Sequence, residues 1–250
     1  MRVRGLAWVG TRTHAFADTV RFFGGSLELP LGRETRGFAR FDLPDGGVVE
    51  VFDAGREEYP HFSTGPVVGF EVSDFDEARG ELERAGYPLL LGVGGERGGY
   101  RWQHFRGPGG LVFEIVDYPD RPAPGSPVGS LQISSLTWMG LSTLQFEETA
   151  AFYQDRLGLA VVEATENLIE CALPDRSSVE AFRRGSDMDH PHFRTGPVPG
   201  FGVADLGRAQ RTLEDRGVTV IRSRRSAHGG WAHFRAPDGN VYEIKQVLGT

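Results

Sequence analysis

The sequence predicts an α+β protein built from four βαβββ modules, which form two tandem domains. The first observation is a repeat: PHFSTGPVVGFEVSD at residues 60–74 returns as PHFRTGPVPGFGVAD at residues 191–205. The second is that LAWVGTRTHAF and HFRGPGGLVFEI, from the first half, return as LTWMGLSTLQF and HFRAPDGNVYEI in the second. A repeated unit of about 125 residues has the length of a domain and is too long for a solenoid repeat.

Length and composition narrow the class of protein. A chain of 250 residues suits two domains, each with its own core. Its net charge of -7 argues against a nucleic-acid partner, which would need a basic surface. Cys171 is the single cysteine, which excludes an intramolecular disulfide and a thiolate zinc site. No apolar run approaches the ~18 residues of a membrane helix and no leader pattern opens the chain, so we expect a cytoplasmic protein without a membrane partner.

The boundary between the domains is predicted from the stretch DYPDRPAPGSPVGS at residues 117–130. It is rich in proline, glycine and serine and has no periodicity, which indicates an extended and exposed connection. We therefore divide the chain into a first domain at residues 1–120, a linker at 121–130 and a second domain at 131–250.

The first unit of each half begins with a strand and continues into a helix. GLAWVG is a short apolar strand, and Thr13 is the predicted N-cap of a helix. Phe16, Val20 and Phe23 then fall on one helical face. FARFDLPDGGVVEVFD predicts a hairpin, because two alternating runs flank a Pro-Asp-Gly-Gly turn.

The second unit repeats this plan. VVGFEVSD predicts a buried strand, and Asp74 with Glu77 three residues later forms a capping-box pattern. Phe75 and Leu82 belong to the apolar stripe of the following helix, which Gly86 ends. WQHFRGPGGLVFEIVD predicts a second hairpin. The same signals recur in the second half.

Four such modules, with GFEVSDFDEA followed by the hairpins GPGGLVFEI and APDGNVYEI, resemble the vicinal oxygen chelate superfamily. Glyoxalase I, extradiol dioxygenases and bleomycin-resistance proteins belong to it. The segment at residues 136–159 resembles the opening strand and the FY…LG helix end of this family. The resemblance implies paired modules whose curved sheets close around a cup, in which the enzymes hold a divalent metal.

The residues at the family's metal positions depart from its pattern. Trp8 and Trp138 stand where the resemblance implies His or Gln, and Val67 and Val198 stand where it implies His. The acidic positions at the module ends are retained as Glu50, Glu114, Glu180 and Glu243. Trp and Val carry no metal-binding atom, and two carboxylates alone hold Mg²⁺ or Ca²⁺ only weakly. We therefore expect no metal or other cofactor at this position.

The candidate catalytic residues are two His-Glu pairs. His104 and His233 each precede a glutamate, Glu114 and Glu243, by the same spacing across a predicted hairpin turn. Cross-strand partners lie about 5 Å apart at Cβ, so each pair can hydrogen-bond. We expect such a bond to raise the pKa of the histidine and to make the pair a general base or a grip for a polar ligand. The alternative is a structural pair at the mouth of the sheet.

The candidate ligand-binding residues are aromatic or acidic and lie on strands. The predicted aromatic walls are Trp8, Trp102, Trp138 and Trp231. Alternatively, each of these tryptophans packs in the apolar core. Glu50 and Glu180 point either into a cup or outward. His61 and His192, in the repeated PHF motif, are interpreted as crossover residues that bond a backbone carbonyl.

Two functional classes follow. The first is a protein that binds a small organic molecule in one or both cups without the usual metal. The alternative is a lyase, isomerase or dioxygenase that uses an unusual metal site or a His-Glu general base. A third, weaker hypothesis is a regulatory or structural pair of domains in which no pocket binds a ligand. The expected partner is a small molecule, and the expected assembly is a monomer with an internal pseudo-dimer or a homodimer.

Overall fold

The computed structural model describes residues 1–56, 59–62, 65–95, 99–194, 196–226 and 229–247. They form four modules, each with one strand, one helix and three further strands. Module 1 comprises β1 (Val3–Thr13), α1 (Phe16–Arg21), β2 (Leu31–Thr35), β3 (Phe38–Asp42) and β4 (Val48–Asp53). Module 2 comprises β5 (Val67–Val72), α2 (Phe75–Arg84), β6 (Leu89–Gly94), β7 (Arg101–Arg106) and β8 (Val112–Asp117).

The second half repeats these elements. Module 3 comprises β9 (Ile133–Thr143), α3 (Phe146–Ala151), β10 (Ala160–Ala164), β11 (Leu168–Ala172) and β12 (Ser178–Arg183). Module 4 comprises β13 (Val198–Val203), α4 (Leu206–Asp215), β14 (Val220–Ser226), β15 (Gly229–Arg235) and β16 (Val241–Gln246). Helices α1 and α3 each continue as a π-helical segment, at Phe22–Ser26 and Phe152–Leu157. The predicted α+β fold of four βαβββ modules is confirmed.

The sixteen strands form two sheets, and each sheet takes one module from each half of the chain. The first has the order β14-β15-β16-β13-β1-β4-β3-β2, and the second the order β10-β11-β12-β9-β5-β8-β7-β6. Strand β1 pairs with β13, and β5 pairs with β9, both antiparallel. We call the concave face of modules 1 and 4 cup A, and that of modules 2 and 3 cup B.

This pairing corrects one expectation from the sequence. We expected the two modules of one half to enclose one cup, which would bring Trp8 and Val67 together. Instead Trp8 packs with Val198 in one apolar cluster, and Trp138 packs with Val67 in another. The division of the chain at residues 121–130 stays a prediction about its organisation.

The helices begin largely where the sequence places them. The carboxylate of Asp74 accepts a hydrogen bond of 3.0 Å from the Glu77 backbone, and that of Asp205 accepts one of 2.8 Å from Arg208. Both are N-caps, as predicted for Asp74. Thr13 is not a cap: the N-cap of α1 is Ala15, and the Thr13 hydroxyl accepts the Ala15 N–H at the preceding turn. A large apolar core, which includes the inner faces of all four helices, fills the side of the sheets opposite the cups.

Polar contacts join the two sheets. Asp45, in module 1, accepts a hydrogen bond of 3.1 Å from the backbone of Leu136 in β9. Its counterpart Asp175, in module 3, accepts one of 3.1 Å from Leu6 in β1. The contacts are reciprocal, so each sheet is fixed to the turn of a hairpin from the other.

Arg121, at the start of the predicted linker, joins the two halves of the chain within the second sheet. Its guanidinium pairs with the buried carboxylate of Glu71 in β5 and donates to the hydroxyl of Thr137 in β9 at 2.7 Å. Ser135 donates to the same carboxylate at 3.0 Å. Because Glu71 is only 3% exposed, these partners replace the water that would otherwise contact its carboxylate.

Candidate functional site

Each cup has a histidine and a glutamate opposite each other on its floor. His104 on β7 pairs with Glu114 on β8 in cup B, and His233 on β15 pairs with Glu243 on β16 in cup A. The distances from Nε2 to Oε2 are 3.0 Å and 2.9 Å. All four side chains are buried. The predicted cross-strand pairing is present in both hairpins, and the catalytic role of these residues stays a prediction.

A second histidine completes each pair, and the sequence interpretation missed its role. His192 Nε2 lies 3.1 Å from His104 Nδ1, and His61 Nε2 lies 3.1 Å from His233 Nδ1. The interpretation of His61 and His192 as crossover residues did not include this contact between histidines. The exchange of modules between the halves explains the difference, since each PHF segment lies over a hairpin of the opposite half. The result is a His-His-Glu chain of contacts in each cup.

Burial sets the protonation of these chains. It lowers the pKa of His104 and of His233 to about 3. It also raises the pKa of Glu114 and of Glu243 well above the usual range. We expected the glutamate to raise the pKa of its histidine, and this is wrong because the loss of water outweighs the attraction within the pair. Burial therefore disfavours the charged form of both partners in each pair.

A tryptophan lies over a glycine on the opening strand of each cup. An added Cβ at Gly140 would lie 2.1 Å from the Trp138 indole, and one at Gly10 would lie 1.9 Å from the Trp8 indole. The indole N–H of Trp8 donates to Glu50 at 3.0 Å, so Glu50 points into cup A. Trp8 is 1% exposed and Trp138 is 7% exposed. Cup A therefore encloses its tryptophan more fully than cup B.

Replacement of Gly140 by Ala is expected to displace the Trp138 indole into the cavity of cup B. The loss of stability should be about 1 kcal/mol, at the low end for overpacking, because the ring has space to move. Gly10→Ala is the matched variant, and its loss should be about 3 kcal/mol because Trp8 is enclosed. Denaturant unfolding and tryptophan fluorescence measure both effects. Equal losses in the two variants would contradict this difference between the cups.

Cup A is filled by Tyr59, which lies where the repeat has His190. Tyr59 has a φ of 60°, in the left-handed region that non-glycine residues rarely adopt. Its ring stacks on Phe62 at 5.1 Å and meets the edges of Trp231 at 5.5 Å and His233 at 5.4 Å. The predicted ligand-binding residues Trp8 and Trp231 thus belong to a packed aromatic cluster.

Cup B contains a cavity of about 400 Å³, within the range of small-molecule sites. His104 and Glu114 lie at its floor and His190 at its side. Six aromatic side chains line it: Tyr100, Trp102, Tyr118, Trp138, Phe182 and Phe193. Of the predicted residues, Trp102, Trp138 and Glu180 therefore face this cavity. Tyr100, Tyr118, Phe182 and His190 were not among the predicted site residues.

The charges at the mouths of the cups are opposite. Glu163 pairs with Glu170 across β10 and β11, and both line the cavity of cup B. The same positions of cup A hold Arg33 and Arg40, which pair across β2 and β3. A comparison of the two halves of the sequence could have found this reversal, since Arg40 is opposite Glu50 as Glu170 is opposite Glu180.

The residues of cup B do not fit a divalent metal at the position that the fold implies. Trp138 and Val67 offer no ligand atom, which leaves the carboxyls of Glu114 and Glu180. Burial raises the pKa of Glu114 well above its usual range, so this carboxyl disfavours the ionised form that a metal requires. Among the residues that the structure describes, no group of three His, Cys, Asp or Glu side chains is arranged to hold a metal ion.

Comparisons with known proteins agree with the fold. Residues 135–244 match the family model of the Glyoxalase/Bleomycin resistance protein/Dioxygenase superfamily. A proposed dioxygenase from Bacillus subtilis has a similar structure, with 18% identity, 98% of this chain and 86% of that chain covered and a TM-score of 0.75. Glyoxalase I from Zea mays has 14% identity, with 97% and 92% covered and a TM-score of 0.66. These identities establish similarity of fold alone.

No curated protein matches the sequence closely enough to count as a relative. In the described part of the chain, no helix has the length and apolar character needed to span a membrane.

Proposed function

We propose that cup B binds a small organic molecule. Residues 135–244 match the family model of the Glyoxalase/Bleomycin resistance protein/Dioxygenase superfamily, and the first half of the chain repeats the same modules. The fold is that of a superfamily whose members bind or convert small molecules. The observation that carries the proposal is the cavity of about 400 Å³ in cup B, with aromatic walls over the His104–Glu114 pair. Such a combination of apolar walls and few converging polar groups is typical of ligand sites.

Binding in cup B is proposed to need no divalent metal. Trp138 and Val67 replace two ligands of the family's metal site, and the Trp138 indole covers Gly140, on the strand that opens module 3. The aromatic ring then offers a flat contact surface in place of a charged ion. Cup A is proposed to be structural, because Tyr59 and Phe62 already pack on the His233 ring.

Glutamine substitutions at the two floor glutamates test this proposal. Thermal-shift and tryptophan-fluorescence screening of a small-molecule library should identify ligands of the wild-type protein. Glu114→Gln should weaken them about tenfold or more, because one buried hydrogen-bonding partner is altered. Glu243→Gln is the matched control, and it should retain the response because Tyr59 fills its cup.

Two outcomes would contradict the proposal. One is the reverse pattern, with ligand response lost in Glu243→Gln and kept in Glu114→Gln. The other is stoichiometric Fe, Ni or Zn that survives dialysis of the wild-type protein and is lost in Glu114→Ala. The second outcome would indicate that cup B holds a metal ion and that its chemistry is metal-assisted.

The alternative function is proton transfer to or from a bound substrate, and the His-His-Glu chain favours it. If Glu114 gives its proton to a ligand, His104 Nε2–H can replace it and His104 Nδ1 can receive a proton from His192 Nε2–H. His192 Nδ1 then takes up a proton from solvent. A buried carboxyl with a raised pKa is suited to general acid catalysis. An enzyme of this kind should lose turnover in Glu114→Gln while the variant still binds the substrate. This result would distinguish the enzyme from a binding protein.

A further inference from the structure

We infer that the ligand of cup B is an organic cation, a protonated amine or quaternary ammonium group on an apolar body. This inference rests on the proposed function, since it names the class of molecule for the same cavity. Four carboxyl side chains line the cavity, namely Glu114, Glu163, Glu170 and Glu180. Among the described residues that line it, none is Lys or Arg. A cation supplies the charge that these walls lack.

The acidic wall is a property of cup B and not of the fold. Cup A carries Arg33 and Arg40 at the positions of Glu163 and Glu170, on the same strands of an equivalent module. The backbone and register are shared, so neither requires a carboxylate there. In cup A, Arg40 also pairs with Asp42 at 2.7 Å, whereas Glu163 and Glu170 face each other without a basic side chain in the lining.

The carboxyl groups in the cavity of cup B disfavour one another's ionisation. Burial, and then the neighbouring Glu170, raise the pKa of Glu180 to about 8. Burial and Glu163 raise the pKa of Glu170. Opposed carboxylates on adjacent strands destabilise a sheet. A bound cation would relieve this repulsion and favour ionisation of Glu180, so its binding should release protons near neutral pH.

The aromatic walls suit the same class of ligand. A cation within about 6 Å of a Trp or Tyr ring is attracted to the negative face of the ring, more strongly where water is excluded. Trp138, Trp102, Tyr100 and Tyr118 surround the acidic residues in cup B. The guanidinium of Arg121 stacks on Tyr118, but it is paired with Glu71 and does not line the cavity.

A buried polar atom in the floor of cup B is available to a ligand. His104 Nε2 is buried and makes no hydrogen bond with the described residues, although Glu114 Oε2 lies 3.0 Å away. In cup A, His233 Nε2 is well aligned with Glu243 Oε2 at 2.9 Å, and the unpaired buried atom there is Glu243 Oε1. Since buried polar atoms are normally paired, His104 Nε2 in cup B lacks a partner that water or a polar atom of a ligand can provide.

Three probes of one shape test the inference: phenyltrimethylammonium, its uncharged isostere tert-butylbenzene, and the anion benzenesulfonate. Isothermal titration and quenching of tryptophan fluorescence measure their binding to the full-length protein. We expect phenyltrimethylammonium to bind about tenfold more tightly than tert-butylbenzene and benzenesulfonate to be rejected. Its affinity should rise with pH through about 8, as Glu180 ionises.

The groups that face Glu180 must be considered in the pH series. They are Glu114, Glu163, Glu170, Tyr100, Tyr118, His104 and His190. Glu180→Gln separates its ionisation from theirs, and this variant should lose most of the rise in affinity near pH 8. If the affinity of Glu180→Gln still rises fully with pH, another of these groups causes the rise and Glu180 does not.

The opposite charges at equivalent positions of the two cups define the variants for this test. Glu163→Arg with Glu170→Arg imports the residues of cup A and should reverse the preference towards benzenesulfonate. Glu163→Gln, at an exposed strand position, should lower the affinity for phenyltrimethylammonium several-fold and keeps the test valid if the double variant does not fold. Arg33→Gln with Arg40→Gln is the matched control and should leave the affinity unchanged.

The outcomes separate this inference from the proposed function. Equal or tighter binding of the neutral or anionic probe, with quenching of Trp138, would overturn the cation inference and leave cup B as a small-molecule site. Failure of all three probes and of a charge-diverse library would overturn both. Binding of the cation that neither Glu163→Gln nor the double arginine variant changes would place it outside cup B and would also overturn the inference.

Discussion

Neither half of the chain is expected to fold alone as a stable monomer, whereas the two halves together should form the native structure. Residues 1–120 contain β1 and β5, whose central partners β13 and β9 both lie in the second half. A separated half therefore exposes two central strand edges and the apolar surfaces beside them, which favours aggregation or self-association. The expected loss is the entire cooperative unfolding transition.

The experiment is a protease site inserted at residues 122–127, compared with the same protein left uncut. After cleavage, the halves should elute together in size-exclusion chromatography and unfold cooperatively by circular dichroism. Each half expressed alone should be unfolded or associated, and mixing the two should restore the native spectrum. A monomeric half with its own cooperative transition would show that each half can close its own cup.

Replacement of Arg121 by Ala is expected to destabilise the protein by about 3 kcal/mol. The substitution leaves the carboxylate of Glu71, 3% exposed, without its guanidinium partner. Loss of one partner of a buried ion pair has a cost of about this size, since the remaining charge stays out of water. The hydrogen bond of 2.7 Å to Thr137 is lost as well. Denaturant unfolding with an unchanged m-value measures the difference.

Arg84→Ala is the matched control for this prediction. Arg84 also bridges two carboxylates, Glu77 at 2.7 Å and Glu81 at 3.0 Å, but its side chain is 59% exposed. Exposed ion pairs contribute about 1 kcal/mol or less. Glu71→Gln added to Arg121→Ala should recover part of the loss, because it removes the stranded charge. Similar losses in the two arginine variants, or no recovery, would show that the buried charge of Glu71 is not the cause.

The modules and the His-Glu pairs could be predicted because their signals are local. Strand alternation and a hairpin turn place His104 opposite Glu114 wherever the hairpin lies in the fold. The repeat then gives the same result for His233 and Glu243. These relations depend on residues about ten positions apart, which the sequence displays directly.

The exchange of modules could not be predicted, since the competing partners are alike. Strands β5 and β13, with the sequences VVGFEV and VPGFGV, carry the same apolar pattern. Either could pair with the opening strand β1 and bury a similar surface. The choice depends on contacts between turns and strands far apart in sequence, such as those of Asp45 and Asp175 with the opposite sheet.

The missed histidines and the reversed pKa shift both depend on tertiary structure. His192 approaches His104 only because the halves are exchanged, so the PHF motif alone indicated a crossover. The pKa of His104 follows its burial, which a spacing pattern does not reveal. The paired substitutions of Glu163 and Glu170 for Arg33 and Arg40 were visible in the repeat. Their meaning required the register that places them around one cavity.

A ligand in cup B would also stabilise the association of the two halves of the chain. Glu114 belongs to the first half of the chain and Glu180 to the second, yet both line one cavity. A molecule held between them contacts both halves at once. By thermodynamic reciprocity, the factor by which assembly of the halves strengthens ligand binding is the factor by which the ligand strengthens their assembly. In a cleaved protein, the dissociation of the two fragments would therefore report on occupancy of the cup.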